Sequence, residues 1–189
     1  MDKLSILTAG SVIFLGLLLP STSTFAKQAK QARPPGYENK DFRISLTART
    51  SSQTIAFYTG RGFPIAALDE LKAVCFITIG IKNKGTSRVW FDLDNWRFSI
   101  PEGVVKRRTR NEWAQRWDKI GLEKRFQSTF RWTLMPEKMG LYPYEGEGGN
   151  VTLIKTDKAM TLTGRISVGK DKSTVYPIKI KNIHCASEK

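Results

Sequence analysis

The run KAVCFITIGIK, from Lys72 to Lys82, constrains the fold more than any other part of the chain. Ala73, Cys75, Ile77, Ile79 and Ile81 share one parity, and Val74 and Phe76 make the other parity partly apolar as well. Period-two alternation of β-branched and aromatic residues is the signature of a strand. Asn83-Lys84-Gly85 follows at once and supplies turn chemistry. A second alternating strand starts at Phe42, with Phe42, Ile44, Leu46 and Ala48 on one side and Arg43, Ser45, Thr47 and Arg49 on the other. Two short apolar pieces, Ile55 to Tyr58 and Phe63 to Leu68, flank the turn-forming Gly60-Arg61-Gly62. Further β-rich runs cover Arg88 to Asp94, Trp96 to Ile100, Phe126 to Leu134, Val151 to Lys155, Met160 to Val168 and Thr174 to Ile183. Eight or nine short strands with turn signals between them predict a mainly β chain, an antiparallel sandwich or barrel.

One segment breaks this pattern. Thr109-x-x-Glu112 has the form of a capping box, and Gly121 stands where a helix ends in left-handed backbone. Between them Trp113, Trp117 and Ile120 fall at i, i+4 and i+7, which predicts one short inserted helix over 109–120. A helix of this length is unstable alone, so the tryptophan stripe is its docking face and has a structural role. Lys106, Arg107, Arg108, Arg110, Arg116, Lys119, Lys124 and Arg125 crowd the same segment and its flanks. They are the candidate partner-binding residues, and a solvated face balanced by Glu112, Asp118 and Glu123 is the simpler alternative.

Residues 1–26 read as a secretory signal peptide: Lys3, an apolar run from Leu4 to Leu19, then small residues up to Ala26. An uncleaved N-terminal anchor is the alternative. Removing 26 of 189 residues leaves 163, enough for one core. Residues 27–40 read as a flexible basic arm and 41–187 as a single domain. Asp2 and Lys3 cancel, so the exported part keeps the whole net charge of +14. Outside the cytoplasm that charge points to an acidic exported protein or an anionic envelope polymer, with no nucleic acid expected and no transmembrane span after cleavage. The pair Cys75 and Cys185, 110 positions apart, is expected to form a disulfide in a periplasmic or secreted setting. The spacing is unlike the CxxC of a redox-active pair.

Residues 73–103, AVCFITIGIKNKGTSRVWFDLDNWRFSIPEG, resemble the second and third strands of bacterial extracytoplasmic immunoglobulin-like, telokin-like domains. The match lies in Asn83, Lys84 and Gly85 after the long strand and in Trp90, Phe91, Asp92 and Asp94 in the next one. The resemblance implies an immunoglobulin-like β-sandwich of adhesive, sensing or accessory character, and it brings no catalytic residue with it. The helix at 109–120 and the glycine-rich loop lie outside the pattern.

No catalytic constellation is legible. His184 is the one histidine, beside a half-cystine, and no G-x-S-x-G elbow occurs. Asp92 with Asp94, and Glu145 with Glu147, are the imaginable carboxylate pairs. The loop YPYEGEGGN, 142–150, offers Glu145, Glu147 and Asn150 as oxygen ligands but reads first as a connection rich in turn formers. Asn150-Val151-Thr152 is a glycosylation sequon, meaningful in a eukaryotic secretory pathway. Met135 and Met139 read as packing rather than copper ligands. No cofactor, metal or catalytic residue is assigned. The expected function is an exported, non-catalytic binding or accessory protein, an assembly or maturation factor that docks an acidic partner through a basic face. The alternatives are direct binding to an anionic envelope polymer or membrane surface, and thirdly an enzyme of unrecognised type.

Overall fold

The computed structural model describes residues 34 to 188, so the expected signal peptide and most of the basic arm lie outside the described residues. In chain order the elements are β1 (Gly36–Glu38), β2 (Phe42–Arg49), α1 (Ser51–Thr59), α2 (Ile65–Lys72), β3 (Val74–Asn83) and β4 (Val89–Asp92). After a 3-10 turn at Leu93–Asn95 come β5 (Arg97–Ile100), β6 (Gly103–Val105), β7 (Arg107–Arg108), α3 (Arg110–Lys119) and α4 (Lys124–Thr133). The chain finishes with β8 (Lys138–Leu141), β9 (Gly146–Ile154), β10 (Met160–Val168) and β11 (Thr174–Ile183).

The strands build two antiparallel sheets. Sheet A runs β1-β2-β3-β9-β7. In sheet B, β10 pairs with β11 along one edge; along the other it pairs with β5 at Thr161–Thr163 and with β4 at Ile166–Val168. The 3-10 turn between β4 and β5 is the jog that lets one path of chain serve as both neighbours. β6 extends β5 and β8 extends β4. The inner faces of both sheets meet in one core, in which Phe42, Ile44 and Leu46 of β2 and Ile77, Ile79 and Ile81 of β3 pack with Phe91, Phe98, Leu162, Ile166, Ile178 and Ile180. The Cys75–Cys185 disulfide is present, with Cα atoms 5.5 Å apart, and ties β3 to the segment after β11.

The helical content differs from the expectation of one short helix. Four helices lie on the outer face of sheet A and bury Tyr58, Phe63, Leu71, Trp113, Trp117, Phe126 and Phe130 against Val74 and Phe76. The apolar piece at 55–58 belongs to α1, whose start carries a capping box of Thr50 and Gln53. Pro64 precedes α2, a run of good helix formers that buries Ala67, Leu68 and Leu71. Phe126 to Leu134 is α4 and not a strand. Phe126 and Phe130 are buried and Leu134 just beyond its end is too, while Trp132, which shares their parity, is 84% exposed. Burial every fourth residue, with the intervening even position outside, is a helical stripe.

Two smaller expectations also change. Residues 36–38 of the basic arm form an edge strand on β2. The glycine-rich stretch after Tyr142 is the first half of β9, paired with β3 from Gly146↔Lys82 to Ile154↔Val74. Asn83 of the turn after β3 is fully buried: Nδ2 donates to the carbonyls of Ser87, Leu141 and Tyr142, and Oδ1 accepts from Gly85 N at 3.0 Å. A buried amide is tolerated because its bonds are made.

Opening the disulfide frees a loop of 110 residues in the unfolded chain. Cys185→Ala with Cys75→Ala is expected to lower unfolding stability by about 2–5 kcal/mol, read from the urea midpoint against wild type.

Candidate functional site

The structure brings the eight expected partner-binding residues together, and it engages most of them within the chain. Arg107 is 13% exposed and pairs with Glu137 at 2.6 Å and Asp94 at 3.4 Å. Arg108 lies over the Trp113 ring, 5.2 Å from its centroid, and reaches toward Glu70. Arg116 forks onto Glu70, with Nε at 2.8 Å. Arg110 donates to the carbonyl of Leu134, at the end of α4. Lys106, Lys124 and Arg125 pair with Glu112, Asp118 and Glu123. Lys119 is exposed and makes no ion pair among the described residues. Burial pulls Arg108 and Arg110 below the ordinary guanidinium range, with Arg116 and Arg131 respectively adding like-charge repulsion.

The helix α3 itself is as its sequence demands. The Thr109 side chain accepts from Glu112 N and the Glu112 carboxylate accepts from Thr109 N. Trp113 and Trp117 are buried and stacked at 4.8 Å, and Ile120 is partly buried against the same cluster. Trp113 Nε1 donates to Thr152 Oγ1 at 2.7 Å, so the hydroxyl of the sequon is consumed inside the protein. The arginines around the helix therefore tie α3 to α2, to the end of α4 and to β7 of sheet A.

A further group of cations without carboxylate partners among the described residues stands on the outer face of sheet B. The register sets Arg97 and Lys179 on either side of Thr163, and Arg165 opposite Pro177. Lys170 and Lys172 stand in the turn between β10 and β11, and Lys181 lies two residues beyond Lys179 on β11. All six are exposed. Trp90 lies flat among them: Arg88 stacks on it at 4.1 Å, Lys172 at 4.7 Å, and its Nε1 donates to Gly169 O at 2.8 Å. Gly140 makes the flat pose possible, since a Cβ there would meet the indole at 2.5 Å. A cavity of about 400 Å³ opens beside Trp90, bounded by Asp92, Lys138, Arg165 and Lys172. Of the imagined carboxylates, Asp92 and Asp94 are both taken by Lys138, at 3.0 and 3.2 Å. Glu145 and Glu147 hold backbone amides of Tyr142 and Gly148. Among the described residues no group of three His, Cys, Asp or Glu side chains could hold a metal ion, and no helix is long and apolar enough to cross a membrane.

A larger recess, about 560 Å³, lies where the helical layer ends and leaves the outer face of sheet A bare. Sequence reasoning missed it, because it depends on α1 being a helix. Register places Thr47, Thr78 and Asn150 in one row across β2, β3 and β9, and Ser45, Gly80 and Gly148 in the next. Arg49 Nε donates to Thr78 Oγ1 at 3.1 Å, which donates in turn to Asn150 Oδ1 at 2.8 Å. Phe57, Tyr58 and Phe76 supply the apolar side. The Tyr58 hydroxyl bonds Thr133 Oγ1 at 2.7 Å, and Thr133 donates onward to Phe130 O. Burial pushes the Tyr58 phenol up to about 12, against smaller opposing influences from Thr133 and Arg61.

The fold and its surfaces define an antiparallel, mainly β protein with a helical layer and a concentration of free positive charge on one sheet. No protein-family model matches the chain, and no curated protein matches it. Among solved structures it is similar to the yjhA protein from Bacillus subtilis, at 8% identity over 76% of this chain and 94% of that one, with a TM-score of 0.41. It is also similar to the ycdA protein from Bacillus subtilis subsp. subtilis str. 168, at 10% identity over 79% of this chain and 39% of that one, with a TM-score of 0.40. Likenesses at this level assign neither a fold nor a function.

Two outcomes follow from the buried side of the site. Tyr58 stays neutral in the folded state until about pH 12, whereas an unfolded phenol ionises near 10. Its contribution is complete below pH 10 and is lost as pH rises through 12, at up to about 1.4 kcal/mol per pH unit. Alkaline unfolding curves of Tyr58→Phe should therefore be less steep in pH than wild type by that one ionisation. Glu70→Gln, which leaves Arg116 and Arg108 without their shared carboxylate, is expected to lower stability by about 1–3 kcal/mol in urea.

Proposed function

We propose that this is an exported, non-catalytic binding protein that docks an acidic protein partner through the outer face of sheet B, in the manner of an accessory or assembly factor. The observation that carries the reading is the exposed group Arg97, Arg165, Lys170, Lys172, Lys179 and Lys181, none of which has a carboxylate partner among the described residues. A surface whose cations are not neutralised within the chain keeps its field available for steering an anionic partner. Trp90, held flat between Arg88 and Lys172, adds an aromatic anchor of the kind enriched in binding surfaces. Of the residues first expected to dock the partner, Lys119, Lys124 and Arg125 lie on the helical layer over sheet A, away from this face, and Arg107, Arg108, Arg110 and Arg116 serve the interior of the fold.

Export is supported by the disulfide and by the composition of residues 1–26. The immunoglobulin-like character of the two-sheet body is supported by a bridge that joins a strand of one sheet to the segment leaving the other.

The test separates the two basic regions. Arg165→Glu, Lys172→Glu and Lys179→Glu, introduced together, are expected to leave the unfolding midpoint nearly unchanged and to abolish co-purification of one stoichiometric acidic protein from an envelope extract at moderate salt. Arg107→Glu, by contrast, is expected to destabilise the fold. Retention of the same partner by the triple variant would defeat the reading. Sedimentation of the purified protein with anionic vesicles or wall polymer, in the absence of any protein, would favour surface attachment instead.

A further inference from the structure

The recess on sheet A has a chemistry of its own, independent of the basic face on sheet B. Its rim carries three planar polar groups, and each already uses its acceptor, or one of its donors, inside the protein. Asn150 Oδ1 accepts from Thr78, which leaves Nδ2 as the free end of the amide. Gln53 Oε1 accepts from Thr50 N in the α1 capping box, which leaves Nε2 free. Arg49 gives Nε to Thr78 and keeps both terminal nitrogens. No carboxylate lines the recess. The three planar groups therefore point only donors, one of them cationic, at whatever occupies the recess, and such a set recognises an acceptor-rich anion.

The rest of the recess specifies the body of that anion. Its floor includes Gly148 and Gly149, without side chains. Its apolar side includes Phe57, which is 42% exposed; Arg61 covers one face of that ring at 3.4 Å from the centroid. A flat floor, a half-open aromatic ring and planar hydrogen-bond donors suit a saturated ring that has one C–H face and a rim of oxygens. The volume, about 560 Å³, exceeds what one such ring fills, so the site suits a short oligomer.

We propose that this recess binds an acidic saccharide, a sugar ring bearing a carboxylate, with Arg49 on the carboxylate, Asn150 and Gln53 on ring hydroxyls, and Phe57 against the C–H face.

Gly148 provides a clean probe. Its φ is not in the left-handed region, and an added Cβ would find its nearest neighbour, Ile79 O, at an ordinary 3.7 Å. Gly148→Val should therefore fold normally while filling the floor. Gly149 is unsuitable, since a Cβ there would meet Met135 N at 2.5 Å.

The experiment is calorimetric titration of the full exported chain with a glucuronate-containing disaccharide, and with the matched disaccharide in which the carboxylate is reduced to the alcohol. The acidic sugar is expected to bind at least about tenfold more tightly than the neutral one, in keeping with a charge-assisted guanidinium–carboxylate contact. Gly148→Val with a native unfolding midpoint should abolish the binding. Arg49→Gln should remove the preference for the acid, and Phe57→Ala should weaken both sugars. The triple reversal on sheet B should change nothing, which keeps this outcome separate from that of the acidic-partner reading. Equal affinity for both sugars, undiminished binding by folded Gly148→Val, loss of binding in the sheet B variant, or no saturable heat up to millimolar sugar would each overturn the assignment. Should Gly148→Val fail to fold, Arg49→Gln and Phe57→Ala decide the matter. A short peptide with a free terminal carboxylate that binds more tightly than the acidic sugar at the same residues would also overturn it.

Discussion

The rest of the structure depends on a strand that is buried on both sides. β3 turns Cys75, Ile77, Ile79 and Ile81 toward sheet B and Val74 and Phe76 toward the helices, and all six are nearly inaccessible. Because the second group occupies only one end of the strand, the helical layer covers only that end. Beyond it Thr78 and Gly80 lie under a bare sheet surface, and the recess beside α1 is the step between covered and uncovered sheet. One uneven distribution of apolar residues along ten positions thus decides where the core, the helices and the candidate site lie.

Charge is divided by the same architecture. Around α3, Arg107, Arg108, Arg110 and Arg116 are partly buried and need partners, because a desolvated cation left alone costs far more than a solvated one. Glu70, Glu137 and Asp94 supply those partners. On sheet B the side chains stand on an open face in water and need none. The unpaired cations on this β surface thus contrast with the basic run from Lys106 to Arg110, which spans β7 and the start of α3 and is largely paired within the fold.

The strands were readable where one face is buried and the other wet: β2, β10 and β11 follow their alternation, and the first apolar residue of each run sits at or next to its boundary. The helix α3 was readable because its cap, its stripe and its terminating glycine agree; Gly121 has φ +66°. α4 was not. Phe126, Phe130 and Leu134 lie at multiples of four and so share a parity, which mimics a strand until Trp132 is seen to face water. α1 carries the same capping signal as α3, Thr50-x-x-Gln53, but it buries only Thr54 and Tyr58, an apolar stripe too weak to announce a helix. The basic cluster was legible as a cluster, with Glu112, Asp118 and Glu123 beside it, but the carboxylates that take Arg107, Arg108 and Arg116 stand 13 to 46 positions away, and no local pattern announces them. The recess draws on β2, α1, β3 and β9 together and has no linear trace at all.

The double burial of β3 also has a meaning in time. Its neighbour β2 precedes it across two helices, but its other neighbour, β9, begins more than sixty residues later, and the cysteine that bonds Cys75 comes later still. Until the second half of the chain arrives, the most apolar strand of the protein has one open edge and two faces that α1, α2, β4 and β5 cover only in part. Contacts of such long range form slowly, and exposed strands of this kind invite association with other chains. The fold is thus one that depends on its last third to make its middle safe, and delaying collapse until the whole chain is present would be an advantage to it.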